Sequence, residues 1–226
     1  MIYDTYIFDL DGTLLNTLGD LTESCNYALR TYGMKERSIE EVRHFVGNGV
    51  RKLMERAVPD GLNNPHFEQA METFRNYYME HGLDTTEPYP GIEEMLDRLQ
   101  QEGCRMAVVS NKFYDATLEM VDYFFGDYIE VAVGECETAM PENIPEGFPQ
   151  HPLRKKPAPD TVNEALRQLN ATKQHAVYVG DSDVDIQTAQ NSGLPCISVL
   201  WGFRNRDFLL AHGAKTLISR PEELFV

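Results

Sequence analysis

The sequence predicts an α/β fold, with a Rossmann-like parallel sheet core and an inserted all-helical cap subdomain. After residue 90, short and uninterrupted apolar stretches alternate with helical periodicity, which is typical of parallel strands covered on both faces. Another such stretch lies near the start of the chain. Between it and the others, residues 17–81 show helical periodicity only. We therefore expect an α/β core of residues 1–15 and 84–226, and a helical cap of residues 16–83.

The first strand is predicted at residues 5–8, where Thr-Tyr-Ile-Phe has the β-branched and aromatic side chains that strands favour. Apolar side chains then recur at three- and four-residue spacing from Leu18 to Tyr32. This spacing predicts an amphipathic helix, and Gly33 is expected to end it.

The remaining elements follow in order along the chain. Ser38 and Glu41 have the spacing of a capping box, so the second cap helix is expected to begin there and to run through Val46. Two further cap helices are predicted at residues 50–58 and 67–81. In the core, helices are predicted at 92–102, 116–123, 161–169, 186–192 and 206–212, and strands at 106–109, 129–133, 176–179, 197–200 and 216–218.

The composition limits the possible partners. The chain has 226 residues and a formal net charge of −16, from 20 Lys and Arg residues against 36 Asp and Glu residues. This excess of acids disfavours nucleic-acid and membrane partners, because both require a basic face. No stretch approaches the roughly 18 apolar residues of a membrane span. No leader sequence opens the chain and the four cysteines are widely spaced, so we expect a cytoplasmic protein with reduced thiols.

Residues 137–154 are rich in proline and poor in apolar side chains. This composition predicts a loop of unusual length for a compact domain. Two interpretations stay open at this point, a surface excursion that the fold tolerates or a partial lid over a binding site.

Polar residues follow several predicted strands at the point where each strand ends. Ligands of open parallel sheets bind beyond the carboxyl ends of the strands, so these residues are expected to share one rim. Each has a simpler explanation when taken alone: an Asp-Gly turn, a helix cap or, for Lys112, a surface charge. The residues expected at the rim are Asp9, Asp11, Thr13, Ser110, Asn111, Lys112, the run from Asp181 to Asp185, and the pair Lys155 and Lys156.

Five of the rim residues are carboxylates, and four of them are considered together here: Asp9, Asp11, Asp181 and Asp185. Two like charges about 4 Å apart repel by about 4 kcal/mol at an effective dielectric constant near 20. A hard divalent cation relieves this repulsion, and carboxylate oxygens with water suit magnesium. The sequence therefore predicts a Mg²⁺ site, with Lys156 as a further positive group for a small anionic phosphorylated substrate.

The same residues suit phosphoryl transfer, which requires a nucleophile, neutralised oxygens and an acid for the leaving group. Asp9 can attack as a carboxylate, while Asp11 can give a proton to the leaving oxygen and later activate water. Ser110 can donate a hydrogen bond to a phosphoryl oxygen. The six histidines are scattered, and no serine–histidine or cysteine–histidine arrangement competes.

Most of the rim residues belong to four short sequence motifs. These motifs resemble those of the haloacid dehalogenase superfamily, whose members mostly hydrolyse phosphate esters. The helical region after the first motif resembles the cap of that superfamily. Residues 45–49, 156–160 and 201–204 resemble its phosphoglycolate phosphatase-like branch less specifically, because pyrophosphatases and sugar-phosphate phosphatases look similar. The four motifs occur in the order Asp9-Leu10-Asp11-Gly12-Thr13, Ser110-Asn111, Lys156-Pro157 and Gly180-Asp181-Ser182-Asp183-Val184-Asp185.

The resemblance implies roles for the four carboxylates. Asp9 would be the nucleophile that forms an aspartyl-phosphate and would also bind Mg²⁺. Asp11 would be the general acid and base, with its main-chain carbonyl on the metal. Asp181 would bind the metal directly, and Asp185 directly or through water.

The resemblance also implies which residues bind the substrate. Ser110 and Lys156 would hold the phosphoryl group, although Lys155 beside Lys156 leaves a small ambiguity about which lysine faces the phosphate. The cap would contact the rest of the substrate, and for Arg51 the alternative is a solvated helix charge. The length of the proline-rich loop departs from the usual pattern and puts the substrate preference in question. The other expected substrate-binding residues are Thr13, Asn111, Gly47, Asn48, Gly49 and Arg51.

Together these observations predict a magnesium-dependent phosphatase that acts on a small, phosphoglycolate-like metabolite. Alternatives of the same fold are a pyrophosphatase, a sugar-phosphate phosphatase and a sugar-phosphate mutase. A dehalogenase is disfavoured because it has no use for an acid at Asp11 or a metal ligand at Asp181. An alternative of a different class is a phospho-accepting regulatory module, but such modules are shorter and lack a helical insertion. The oligomeric state is left open.

Overall fold

The chain forms two compact units in the computed structural model, which describes residues 3–136 and 152–225. One unit comprises Met1–Leu14 and Pro88–Val226, and the other comprises Leu15–Glu87. The first unit contains the main sheet, and the second is mostly helical. The boundaries of the units thus fall at residues 14–15 and 87–88.

Strands and helices alternate through the first unit. The described residues contain the strands β1 (Thr5–Phe8), β2 (Leu15–Asn16), β3 (Glu87–Pro88), β4 (Arg105–Phe113), β5 (Val131–Glu135), β6 (Ala176–Gly180), β7 (Cys196–Val199) and β8 (Thr216–Ile218). Six of them form one sheet in the order β5-β4-β1-β6-β7-β8, in which all neighbours are parallel. The predicted α/β class with a parallel sheet is confirmed.

Helices account for most of the other described residues. The α-helices are α1 (Leu18–Thr31), α2 (Ile39–Phe45), α3 (Val50–Ala57), α4 (Phe67–His81), α5 (Ile92–Gln101), α6 (Tyr114–Phe125), α7 (Asp160–Gln168), α8 (Asp183–Ser192) and α9 (Arg206–Ala211). Short 3₁₀ turns lie at Gly61–Asn63, Lys173–His175 and Pro221–Phe225.

The strand order places β1 where the direction of the crossovers reverses, with β4 on one side and β6 on the other. Phe8, the last residue of β1, lies opposite Val108 of β4 and Val179 of β6. All four residues of β1 are buried, as its apolar sequence requires. The residues that follow β1, β4 and β6 therefore emerge together at one edge, at the position where such sheets bind ligands.

Strand β4 is longer than the sequence predicts. The apolar stretch suggests residues 106–109, but β4 extends through Ser110 to Phe113, with a register shift against β5 between Val109 and Phe113. Such irregularities redirect side chains near functional sites. The two-residue strands β2 and β3 pair with each other in a small separate sheet and were missed, because two residues are too few for a periodic signal.

The helical unit contains α1 to α4. The predicted capping box of α2 is confirmed: the Ser38 main-chain N–H donates to Glu41 Oε2 at 2.8 Å, and the Glu41 N–H donates to Ser38 Oγ at 3.3 Å. Gly47 and Gly49 have φ values of 116° and 87°, and they separate α2 from α3.

A buried carboxylate, Asp20, joins the two ends of the helical unit. Asp20 lies in the first turn of α1 and is 4% exposed. It accepts hydrogen bonds from the main-chain N–H groups and the hydroxyls of both Thr85 and Thr86, over distances of 2.5–3.1 Å. Hydrogen bonds to charged groups are stronger than neutral ones, so this cluster fixes the segment before β3 against the start of α1.

Replacing Asp20 by alanine is expected to destabilise the protein. The Asp20→Ala variant would leave the donors of Thr85 and Thr86 without their acceptor, and the free energy of unfolding should fall by about 3 kcal/mol. Urea denaturation monitored by circular dichroism measures this change. Asp84→Ala is the control, since the exposed Asp84 contacts His81 and should matter by less than about 0.5 kcal/mol. Equal stability of the two variants would contradict the assignment.

No helix within residues 3–136 and 152–225 is both long and apolar enough to cross a membrane.

Candidate active site

Asp9 lies directly beyond β1 and faces the edge of the sheet. Its main-chain N–H donates to Val179 O at 2.9 Å, which continues the pairing of β1 with β6. The side chain is nearly buried, and Oδ1 accepts the Leu10 N–H at 2.8 Å. Gly12 then turns the chain with a φ of 90°, a conformation that L side chains rarely adopt.

Lys156 reaches Asp9 from the segment before α7. Its main chain is fixed by Asn111, which accepts the Lys156 N–H at 2.9 Å and donates from Nδ2 to the Lys156 carbonyl at 3.0 Å. The Lys156 Nζ lies 2.7 Å from Asp9 Oδ1 and 2.9 Å from Asp185 Oδ1. Lys156 is therefore the lysine of the Lys155–Lys156 pair that contacts these carboxylates.

Asp9, Asp181 and Asp185 form a buried acid cluster in which one carboxylate oxygen from each residue lies within 4.8 Å of the others. Asp181 Oδ2 accepts the Phe203 N–H at 2.7 Å. Asp185 Oδ2 accepts both the N–H and the Oγ–H of Ser182, at 3.1 and 2.6 Å, as the capping box of α8.

Asp11 is not one of the three members of this cluster, and it forms an ion pair with Lys112, with 2.8 Å between Oδ1 and Nζ. The Lys112 side chain is only 1% exposed, so its interpretation as a surface charge is wrong. Because β4 extends beyond Val109, Lys112 lies within the strand and its side chain is held inside the protein.

The acid cluster changes the pKa values of its members in the absence of a metal. Burial and the neighbouring Asp185 raise the pKa of Asp9 well above its ordinary value. Burial, with Asp185 again, raises the pKa of Asp181 to about 7. Burial also disfavours the charged form of Asp185, but Lys156 and Ser182 outweigh it and lower the pKa of that carboxyl. Burial opposes the charge on Lys156 as well, yet Asp185 and Asp9 raise its pKa.

The charges of the site fit a divalent cation. Two buried lysines, Lys112 and Lys156, face the four carboxylates expected from the sequence, which leaves two negative charges without a cationic side chain in these ion pairs. Burial is the main cause of the raised pKa values of Asp9 and Asp181, and repulsion from Asp185, which reflects this excess of negative charge, adds to it. A cluster made only of carboxylate oxygens matches the ligand preference of Mg²⁺.

Ser110 and Thr13 also lie at this edge. Ser110 is 2% exposed, and its Oγ accepts the Lys112 N–H at 3.1 Å. The Thr13 carbonyl accepts the indole N–H of Trp201 at 2.9 Å. The buried hydroxyl oxygen of Thr13, Oγ1, has no hydrogen-bond partner among the described residues.

The expected substrate-binding residues of the helical unit have partners within that unit. Asn48 Oδ1 accepts from Arg56 at 2.8 Å. Arg51 forms an ion pair with Glu68 at 2.5 Å, and its guanidinium lies 5.0 Å from the centroid of the Phe67 ring. The role of these residues in substrate binding stays a prediction.

Most of the proline-rich loop, residues 137–151, lies outside the described residues, and so do both interpretations of it. The described end of the loop is anchored, because Leu153 is buried and Arg154 forms an ion pair with Asp160 at 2.7 Å.

Sequence reasoning placed Lys112 at the rim without a role, and it missed two residues of the site, Tyr178 and Phe203. Tyr178 lies in the middle of β6, and its phenol oxygen contacts both Lys156 and Asp185. A tyrosine in an apolar strand looks like a core residue, and only its position three residues before Asp181 could have indicated otherwise.

The raised pKa of Asp181 predicts a pH dependence of stability. A carboxyl whose pKa is about 7 in the folded state and 3.8 otherwise stabilises the metal-free fold below pH 4, and this contribution is lost as the pH rises to 7. The loss is on the order of 4 kcal/mol. We expect Asp181→Asn to gain stability relative to the unmodified protein between pH 5 and pH 8. Denaturation with chelator present measures this gain, and a difference independent of pH would contradict it.

Known sequences and structures resemble almost the whole chain. A family model described as haloacid dehalogenase-like hydrolase matches residues 6–199. The phosphoglycolate phosphatase of Rhodobacter capsulatus is 34% identical over 215 residues, which cover 92% of this chain and 90% of that protein. The phosphoglycolate phosphatase of Aquifex aeolicus is 31% identical over 219 residues, which cover 96% of this chain and 93% of that protein. A crystal structure from Lactobacillus delbrueckii subsp. bulgaricus, provisionally named phosphoglycolate phosphatase, has a TM-score of 0.88 at 34% identity and covers 99% of this chain and 97% of that one.

Proposed function

Because the chain belongs to the haloacid dehalogenase-like hydrolases, we propose that it is a magnesium-dependent phosphatase of a small phosphorylated metabolite, with phosphoglycolate as the first candidate. The observation that carries this proposal is the Asp9 carboxylate, held at the edge of the sheet between Lys156 and the two other acids of the cluster. The proposed substrate is supported by the names of the relatives.

The contacts of Asp9 suit a nucleophile. Lys156 Nζ and the Leu10 N–H both donate to Oδ1. Oδ2 accepts no hydrogen bond from the described residues and is left for attack on phosphorus. Since the same lysine would also face the phosphoryl group, it would bring the nucleophile and the electrophile together.

The proposed reaction has two steps. Asp9 Oδ2 forms a bond to phosphorus while the bond to the ester oxygen breaks, and Asp11 gives a proton to that oxygen. The product is an aspartyl-phosphate on Asp9 and a free alcohol. Water then attacks phosphorus, Asp11 accepts its proton, and phosphate leaves with the Asp9 carboxylate restored. In both steps Ser110 Oγ donates to a phosphoryl oxygen, and the positive charge of the Lys156 ammonium offsets the negative charge of the phosphoryl group.

Asp9 and Asp181 are the proposed side-chain ligands of Mg²⁺, together with the main-chain carbonyl of Asp11. The bound ion would neutralise charge on the phosphoryl oxygens. A carboxylate has about four acceptor positions, and those of Asp185 are taken by Lys156, Tyr178 and two donors of Ser182. This saturation disfavours Asp185 as a ligand, because the carboxylate would have to give up one of these donors to contact the ion either directly or through a water.

Other expectations stay predictions at this stage. They include Thr13 and Asn111 near the phosphoryl group, Gly47 to Gly49 with Arg51 on the rest of the substrate, a cytoplasmic location, and the lack of nucleic-acid and membrane partners.

A substrate screen with Mg²⁺ tests the proposal. Phosphoglycolate, pyrophosphate and hexose phosphates are compared by kcat/KM, with release of inorganic phosphate measured beside isomerisation of the sugar phosphates. We expect phosphate release, highest for phosphoglycolate, and complete loss of turnover with excess chelator. Isomerised product would favour a mutase. A single stoichiometric phosphorylation without turnover would favour a regulatory module and contradict the proposal.

A further inference from the structure

Tyr178 contacts Asp185 of the acid cluster, but it has no part in the two proposed steps. Its side chain is fully buried in β6. The phenol oxygen accepts a hydrogen bond from Lys156 Nζ at 3.1 Å and donates one to Asp185 Oδ1 at 3.0 Å. The hydroxyl therefore connects the cation of the site with one of its acids.

The contacts of Lys156 show what this hydroxyl contributes. A lysine ammonium has three N–H donors, and those of Lys156 go to Asp9, Asp185 and Tyr178, at 2.7, 2.9 and 3.1 Å. Three acceptors for three donors fix the direction of each N–H bond. Without the phenol oxygen, one N–H of this buried ammonium would have no acceptor among the described residues.

The hydroxyl also keeps its proton. Burial, with the charges of Asp185 and Asp9, raises the pKa of Tyr178 well above its ordinary value. The phenol is thus a stable donor to Asp185, and it accepts from Lys156 at the same time.

We propose that Tyr178 is a positioning residue for phosphoryl binding, whose phenol oxygen fixes the Lys156 ammonium between Asp9 and Asp185. This inference rests on the proposed function, in which Lys156 holds the phosphoryl group. It assigns no contact between Tyr178 and the substrate, since Tyr178 acts through the lysine.

The test replaces Tyr178 by phenylalanine, which removes one oxygen and keeps the buried ring. Calorimetry measures the affinity for inorganic phosphate in the presence of Mg²⁺, and the affinity for Mg²⁺ alone. Because a hydrogen bond to a charged group is lost, we expect Tyr178→Phe to bind phosphate about tenfold more weakly. The affinity for Mg²⁺ should change less than about threefold, since Asp9 and Asp181 make no hydrogen bond with the phenol oxygen.

The matched control is Tyr6→Phe. Tyr6 is also a buried tyrosine, 2% exposed, and it lies on the neighbouring strand β1, where its ring stacks on Phe8 rather than reaching the acid cluster. Both affinities of this variant should stay within about twofold of those of the unmodified protein, because single changes away from such networks have small effects.

Three outcomes would overturn the inference. Unchanged phosphate affinity in Tyr178→Phe would show that Lys156 is positioned without the hydroxyl. Equal loss of phosphate and Mg²⁺ affinity, with a lowered Tm, would assign Tyr178 to packing of the core. An unmodified protein that neither binds phosphate nor releases it from esters would overturn the proposed function, and this inference with it.

Discussion

Replacing Asp9 by asparagine is expected to abolish turnover. The amide of Asp9→Asn cannot form the aspartyl-phosphate, so kcat should fall by at least about 10⁴-fold on every substrate. The fold should persist, because burial and the neighbouring Asp185 raise the pKa of the Asp9 carboxyl. The raised pKa means that the folded protein disfavours a negative charge at this position, and the neutral amide removes that charge. Phosphate release measures the loss. Denaturation in chelator should show equal or greater stability than that of the unmodified protein.

The control for this variant is Asp183→Asn, the same chemical change at the first residue of α8. Asp183 is only partly buried and is not a member of the acid cluster. Its activity should stay close to that of the unmodified protein, with a stability cost of about 0.5 kcal/mol from the lost charge at the helix N-terminus. Substantial turnover by Asp9→Asn would rule out the assigned nucleophile.

Replacing Lys156 by methionine is expected to affect both stability and activity. The variant leaves Asp9 and Asp185 buried without their shared cation, and breaking a buried ion pair costs about 3–5 kcal/mol. The loss should be larger at pH 8 than at pH 5, because the two carboxyls can take up protons at the lower pH. Loss of the phosphoryl contact should lower kcat/KM about a thousandfold.

Urea denaturation at the two pH values and phosphate release test this prediction. Lys155→Met is the matched control, since it makes the same chemical change at the neighbouring lysine, whereas the ammonium that donates to Asp9 Oδ1 is that of Lys156. If Lys156→Met is too unstable to assay, Lys156→Arg keeps the charge while changing its geometry, and should recover stability more than activity. Equal behaviour of the Lys155 and Lys156 methionine variants would contradict the assigned role.

The general fold could be predicted because its strands are buried on both faces. A strand with one face in water would alternate apolar and polar residues, whereas Met106 to Val109 is apolar throughout. The alternation of such strands with helices is compatible with few topologies. The strands β2 and β3 could not be predicted, because each contains two residues and depends on pairing between distant parts of the chain. The extension of β4 beyond Val109 was missed for a related reason, since it depends on irregular pairing with β5.

The site was predictable where chemistry and topology agree. Asp9 and Asp181 follow buried strands that are neighbours in the sheet, so their meeting follows from the strand order once a parallel sheet is assumed. The burial of Lys112 could not be deduced, because it depends on a partner about a hundred residues earlier, Asp11. Tyr178 was hidden because its ring satisfies the apolar pattern of β6 and only its oxygen takes part in the polar network.

The contacts of Asp20 bear on how this protein could be re-engineered. Because Asp20 ties Thr85 and Thr86 to the start of α1, the spacing between the entry and exit of the helical insertion is set inside the insertion itself. Substitutions in α2 to α4 should therefore leave the distance between the start of α1 and the segment at Thr85 and Thr86 unchanged. Chimaeras with helical insertions of other relatives should keep this aspartate and the two threonines together, as one transferable junction.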